Sequence, residues 1–213
     1  MKRVFNLLVV DESGSMSIIE RQALVGINET LTTIQKMQKT HNDMEQRVTL
    51  ITFDSTHKKL FYDNVSARHA TPLTSRDYNP CGGTPLYDAI GMGIAKVNAL
   101  TTEDDSVLVT IITDGEENCS EEYSLKMIKN LIEKLKKQNW TFTFIGTDDL
   151  DVDAGFAGFC IGFHRINPSP TLQAQGKDIL LWRSCLLYEV WSWKGMDGHS
   201  LCRPDDHYLW LCL

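Results

Sequence analysis

Asp11, Ser13 and Ser15 stand at alternate positions directly after the apolar run Val4-Phe5-Asn6-Leu7-Leu8-Val9-Val10. A run that short, rich in β-branched residues and closed by a glycine-containing turn, reads as a buried strand. Its carboxyl end then presents one carboxylate and two hydroxyls. Such oxygens are hard donors that suit magnesium, manganese or calcium and suit zinc poorly. One turn cannot fill six octahedral positions, so other loops must bring oxygens to the same point, and two segments qualify. Thr113-Asp114-Gly115 follows the run Val107-Leu108-Val109-Thr110-Ile111-Ile112, again a carboxylate at a strand end before glycine. Gly82-Gly83-Thr84 ends a stretch, residues 63 to 83, too long and aperiodic for a simple connection. Its glycines let the backbone approach closely, and Thr84 adds a third hydroxyl.

Neutral hydroxyls around a divalent cation leave most of its charge uncompensated, so it stays attractive to an incoming carboxylate. Two aspartates, ionised at neutral pH, retain it. A hydrolase built on the same loops would also need a positioned base or nucleophile. No histidine lies in the three loops, which leaves Glu116 and Glu117 as the nearby groups.

The elements that must hold these loops alternate along the chain. Residues 17 to 39 carry Ile18, Leu24, Ile27, Leu31, Ile34 and Met37 at mostly three- or four-residue spacing, an amphipathic helix. Residues 46 to 53 and 58 to 62 read as two strands. The gap between them is too short for a crossover, so they pair antiparallel at a sheet edge. A helix over 86 to 100, a strand over 106 to 112, a helix over 121 to 137 and a strand over 140 to 146 follow. Strands alternating with helices imply an α/β doubly wound, mostly parallel sheet with one antiparallel edge strand and helices on both faces. In such a sheet ligands collect outside the carboxyl ends of the strands where the winding reverses. Asp11 and Asp114 would then face each other on adjacent parallel strands, about 5 Å apart at the backbone.

Composition excludes some functions. The formal net charge is -7 and no Lys/Arg stripe is present, which argues against a nucleic-acid partner. No segment approaches the roughly 20 uninterrupted apolar residues of a membrane span. Lys2 and Arg3 before an apolar run imitate a signal peptide, but Asn6 breaks the run and no small-x-small cleavage site follows. The six cysteines lack C-x-x-C spacing and are widely spread, which fits free thiols in a reducing cytoplasm. Residues 164 to 213 depart from the α/β pattern: four of the five tryptophans and three of the six cysteines lie beyond residue 180. A helix over 178 to 191 would place Ile179, Trp182, Leu186 and Trp191 on one face as a partner-binding or membrane-surface element. A weakly ordered tail is the plainer reading, and a segment outside its ancestral reading frame is a third.

The motif set Asp-x-Ser-x-Ser at 11, 13 and 15, a loop threonine at 84 and Thr-Asp-Gly at 113 to 115 resembles the von Willebrand factor type A (vWA) domain with its metal-ion-dependent adhesion site. The resemblance covers about residues 1 to 160 and implies a domain over 1 to 163. The Gly-Gly-Thr-Pro-Leu-Tyr-Asp-Ala and Thr-Asp-Gly-Glu-Glu-Asn stretches look like the compact bacterial and phage members. It implies a Mg2+ site, with Mn2+ or Ca2+ as substitutes, formed by Asp11, Ser13, Ser15, Thr84 and Asp114, and a partner protein whose Asp or Glu completes the coordination. It implies an intracellular, cytoplasmic adaptor or assembly factor rather than an enzyme, of a kind that works beside AAA+ ATPase or kinase systems. It also implies a sixth strand, for which Phe159 to Phe163 is the one stretch available. A metal-assisted phosphohydrolase and an interaction protein acting through its tail are the competing classes.

Taken singly, the same residues have plainer roles. Asp11 and Ser13 are suited to capping a helix that starts near Ser17, and Thr84 to capping one with Pro85 at its first position. Their joint occurrence at two strand ends and one glycine-rich loop favours the metal reading. Glu116 and Glu117 read as first-turn carboxylates favoured by a helix dipole. His41, His57 and His69 read as isolated surface residues, Cys81 as a packed thiol, and Lys134, Lys136 and Lys137 as a solvated face.

Overall fold

The computed structural model describes residues 1–114, 117–147 and 162–166. Along the chain these form β1 (Lys2–Asp11), α1 (Glu20–Thr40), β2 (Met44–Phe53), β3 (Lys58–Ser66), α2 (Leu86–Asn98), β4 (Ser106–Ile112), α3 (Leu125–Lys136), β5 (Trp140–Thr147) and β6 (Gly162–Ile166), with short 3-10 turns at Gly14–Ile18 and Ala67–His69. The strands make one six-stranded sheet in the order β3-β2-β1-β4-β5-β6. Only β3 runs antiparallel, against β2. The other neighbours are parallel.

Strand alternation splits the core into two layers. Phe5, Leu7 and Val9 pack with Ile90, Ile94 and Val97 of α2 and with Ile128, Ile132 and Leu135 of α3. Leu8 and Val10 pack with Ala23, Ile27, Leu31 and Ile34 of α1 and with Met16. Helices therefore cover both faces, as the alternation predicts. Asn6, the polar interruption in β1, is buried and donates to Gln46 Oε1 at 3.0 Å and to the Arg47 carbonyl at 3.1 Å. A buried amide whose hydrogens are both used costs the strand little.

Several boundaries differ from the sequence reading: β3 runs on to Ser66, four residues into the stretch expected as loop, and both helix starts below move for a local reason. The first helix begins at Glu20, not at residue 17. The chain first makes a 3-10 turn in which Met16 N–H bonds to the Ser13 carbonyl and Ile19 N–H to that of Met16. Ile18 consequently faces solvent at 80% exposure, while Met16 and Ile19 are buried. The helix expected from residue 121 begins at Leu125, because the N–H groups of Glu121, Glu122 and Tyr123 are taken by the Asp88 carboxylate, and Ser124 caps the helix proper. The sixth strand lies at Gly162–Ile166, shifted by three residues from the expected Phe159 to Phe163 and overlapping it. No helix among the described residues is long and apolar enough to cross a membrane. The expected helix over 178 to 191, like the rest of the tail beyond Ile166, lies outside the described residues.

Candidate functional site

β1 pairs with β2 on one side and β4 on the other, so the sheet changes winding direction between β1 and β4. The register sets Val10 opposite Ile112, which brings Asp11 level with Thr113 and Asp114. The topology thus opens a crevice at the carboxyl ends of these two central strands.

Four of the five expected residues form one connected polar chain in that crevice. Asp11 Oδ1 accepts the Ser13 N–H at 2.7 Å, and its Oδ2 accepts the Thr113 hydroxyl. Ser13 Oγ lies 3.2 Å from Ser15 Oγ, and Ser15 Oγ donates to Asp114 Oδ1 at 2.9 Å. Asp11 and Ser13 are fully buried, Asp114 is half-buried and Ser15 is exposed at the mouth. Thr84 reaches the same place through its backbone. Gly14 N–H bonds to the Gly82 carbonyl at 3.0 Å, Cys81 N–H to the Glu12 carbonyl at 2.8 Å, and Thr84 N–H to Asn118 Oδ1 at 2.9 Å, with Asn118 N–H returning to the Thr84 carbonyl at 3.2 Å. Its hydroxyl makes no hydrogen bond to the other four residues.

The capping roles are not the ones these side chains take. Ser13 stands at the start of the 3-10 turn without a side-chain capping bond, and Pro85, not Thr84, occupies the N-cap of α2, also without one. That end of α2 is held by Glu117, whose carboxylate accepts the N–H groups of Tyr87, Cys119 and Ser120 and the Ser120 hydroxyl. Glu117 therefore anchors α2 to the loop after β4 and is not a first-turn residue of α3. Glu116 lies outside the described residues.

Gly82 is where the loop needs glycine. Its φ of +69° is in the left-handed region, and a Cβ there would sit 2.6 Å from Ser55 Oγ. Gly83 is wedged as well, with a hypothetical Cβ 2.9 Å from Asn118 Oδ1 and 3.1 Å from Cys119 Sγ. The two glycines let the Thr84 loop pass between the turn after β2 and the loop after β4.

Burial pushes the Asp11 carboxyl up to about 6, against the pull of its Thr113 and Ser13 hydrogen bonds. Burial raises Asp114 too, against the Ser15 hydroxyl. No Lys, Arg or His forms an ion pair with either carboxylate among the described residues. Two carboxylates joined through hydroxyls, with no compensating positive charge, form a donor set that fits a hard divalent cation. No group of three or more His, Cys, Asp or Glu able to hold a metal occurs among the described residues. The oxygens that converge here are mostly hydroxyls.

Three supporting groups escape a reading by motif. Tyr78, buried, donates its hydroxyl to the Asp11 carbonyl at 2.6 Å and fixes the end of β1. Thr113 was visible only as the residue before Asp114, yet it holds Asp11. Asp54 directly follows β2, one position past the register partner of Asp11, so a strand-end carboxylate was visible in the sequence there too. Its carboxylate is consumed locally, by the N–H groups of Thr56 and His57, the Thr56 hydroxyl, His57 Nδ1 at 2.9 Å and the Cys81 thiol at 3.0 Å. Two expectations change as a result. His57 is not isolated, since its Nε2 also lies 3.4 Å from Glu12 Oε2. Cys81 is not a packed thiol, being exposed and free.

No protein-family model matches the sequence, and no curated protein does. Solved structures do match. The SpRpn10 VWA domain is similar over 82% of this chain and 95% of its own, with a TM-score of 0.53 at 13% identity. The fold is vWA-like. The pilus adhesin SpaC of Lactobacillus rhamnosus GG matches 84% of this chain with a TM-score of 0.60 at 18% identity. The PilB minor pilin of Streptococcus sanguinis, a D319A mutant, matches 92% with a TM-score of 0.57 at 14% identity. This vWA-like chain spans only 30% of the adhesin and 64% of the pilin. Identities this low establish a shared fold and nothing finer.

Proposed function

We propose that this chain is a divalent-cation-dependent protein-binding module of bacterial or phage type. Asp11, Ser13, Ser15, Thr84 and Asp114 hold Mg2+, with Mn2+ or Ca2+ as substitutes, and an Asp or Glu of a partner protein completes the coordination. The cation supplies the attraction for that carboxylate. The residues of the chain position it: the buried Asp11 and half-buried Asp114 retain it, and the exposed Ser15 leaves the mouth open. The observation that carries this reading is the hydroxyl bridge Ser13–Ser15–Asp114 beside a buried Asp11, with no cationic side chain paired to either aspartate among the described residues.

In this reading the module is an adaptor or assembly factor in the cytoplasm, not an enzyme, and by family resemblance it serves an AAA+ ATPase or kinase system. The free thiols Cys81 and Cys119 are compatible with a reducing compartment. Titration calorimetry of Mg2+ and Mn2+ into the full chain tests the site. Uptake by the wild type that disappears in Asp11→Ala and Asp114→Ala supports it, and no uptake by the wild type overturns it. Affinity capture with and without chelator tests the function: partners retained in Mg2+ and lost in Thr84→Ala support the adaptor. Metal-dependent turnover of a generic phosphoester, lost in the same variants, would assign the site to a hydrolase instead.

A further inference from the structure

Beside the candidate cation site, a groove of about 550 Å3 runs along the loop after β4 and the start of α3. Tyr87, Tyr123 and Met127 form its apolar side, and Met127 is 51% exposed although it sits in the first turn of a helix. Glu121 and Glu122 line it with exposed carboxylates. Their backbone N–H groups are held by Asp88, so the side chains sit on a fixed loop, and neither carboxylate has a cationic partner among the described residues. Glu117, which also lines the groove, is already saturated by four donors. No Lys or Arg lines it; Lys126 and Lys129 of α3 are not among its walls. The groove adjoins the Thr84 loop of the cation site, because Asn118 forms part of its wall and hydrogen-bonds the Thr84 backbone in both directions.

A partner segment whose acidic residue reaches the cation would pass along the Tyr87, Tyr123 and Met127 side of the groove toward two uncompensated negative charges. Asn118 and Glu122 are four residues apart, which at full extension is at most about 14 Å. Resting on the cation-dependent reading above, we propose that this groove docks an extended segment of the partner protein that carries an apolar residue and a Lys or Arg within about four residues of the metal-seeking Asp or Glu. The acid supplies the anchor. The base supplies orientation and selectivity, since exposed charge pairs add modest affinity and discriminate against acidic neighbours.

A displayed library of linear nonamers with a fixed central Asp, panned against the full chain in Mg2+ and in chelator, tests this. Expected sequences enriched in Mg2+ carry Lys or Arg within four positions of the Asp. Glu121→Gln combined with Glu122→Gln should abolish the basic preference and weaken an enriched peptide about 3- to 10-fold, leaving Mg2+ uptake unchanged. Met127→Gln should weaken the same peptide through lost apolar contact; glutamine there suits the first turn after the Ser124 cap, so the helix is retained. Enrichment in Mg2+ without basic residues, or an unaltered double variant, overturns the proposal while sparing the cation reading. No Mg2+-dependent enrichment, together with no Mg2+ uptake, overturns both. A concentration-dependent dimer that dissociates in Met127→Gln would assign the groove to a second copy and also overturn it.

Discussion

The two ends of β1 solve the same problem in opposite ways. Near its start, buried Asp105 is met by the Arg3 guanidinium at 2.6 and 3.0 Å and by the N–H and hydroxyl of Thr102. Burial pushes that carboxyl up, but Arg3 and Thr102 outweigh it and hold it below the usual carboxylate range. At the far end of the strand, Asp11 is equally hidden but meets only hydroxyl and amide donors, and burial wins. Charge compensation is built into one end and, on the proposed reading, left to an outside cation at the other. The first arrangement stabilises the fold; the second costs some stability, which the proposed cation would offset.

The largest expected effect breaks this comparison at the site end. Asp11→Ala and Asp114→Ala should each weaken Mg2+ binding by at least about 100-fold in titration calorimetry. Asp105→Ala should leave uptake unchanged and instead destabilise the fold by about 1–3 kcal/mol in urea titrations, because Thr102 N–H and Arg3 lose their acceptor. Next, Ser15→Ala should weaken metal binding about 10-fold with a stability change within about 0.5 kcal/mol, since Ser15 is exposed. Gly82→Ala should cost about 1 kcal/mol or somewhat more for its left-handed backbone and the close Ser55 hydroxyl, and should lower Mg2+ affinity by displacing Thr84.

A pH series sharpens the contrast. Asp11 has a folded pKa raised to about 6, so in chelator its contribution favours the fold at low pH and is lost as pH rises through about 6. Wild-type protein in chelator should therefore gain stability relative to Asp11→Asn on going from pH 7 to 5. The Tm gain produced by Mg2+ should shrink over the same interval, because protons and cation compete for one carboxylate. Asp105 has the opposite sign. Its folded pKa is depressed, so its contribution is present above about pH 4 and disappears as pH falls further. Thermal melts of wild type, Asp11→Asn and Asp105→Asn across this range separate the two.

Much of this molecule is legible without coordinates because strand and helix periods are local. The alternation of Phe5, Leu7 and Val9 against Leu8 and Val10 assigns two buried faces, and the short gap between residues 53 and 58 dictates the antiparallel edge. The misread boundaries occur where side chains intercept the backbone. Asp88 captures the N–H groups of residues 121 to 123 from 33 to 35 positions away, which no periodicity announces. The same holds for Glu117, which reads as a helix-start residue and serves another helix.

Sequence alone determined the chemistry on offer: two strand-end aspartates, three hydroxyls and a pair of glycines, in an order that the alternating pattern brings to one edge of a sheet. Only the tertiary structure decided which carboxylates remain available. Asp11 ends β1 and Asp54 directly follows the neighbouring parallel β2, one position past the register partner of Asp11, yet Asp54 is absorbed by Thr56, His57 and Cys81, while Asp11 has no cationic partner among the described residues. Availability depends on what stands within hydrogen-bond reach: Thr56 and His57 reach Asp54 from two and three positions along the chain, whereas Cys81 reaches Asp54, and Thr113 and Asp114 join the Asp11 cluster, only once the sheet has brought distant loops together.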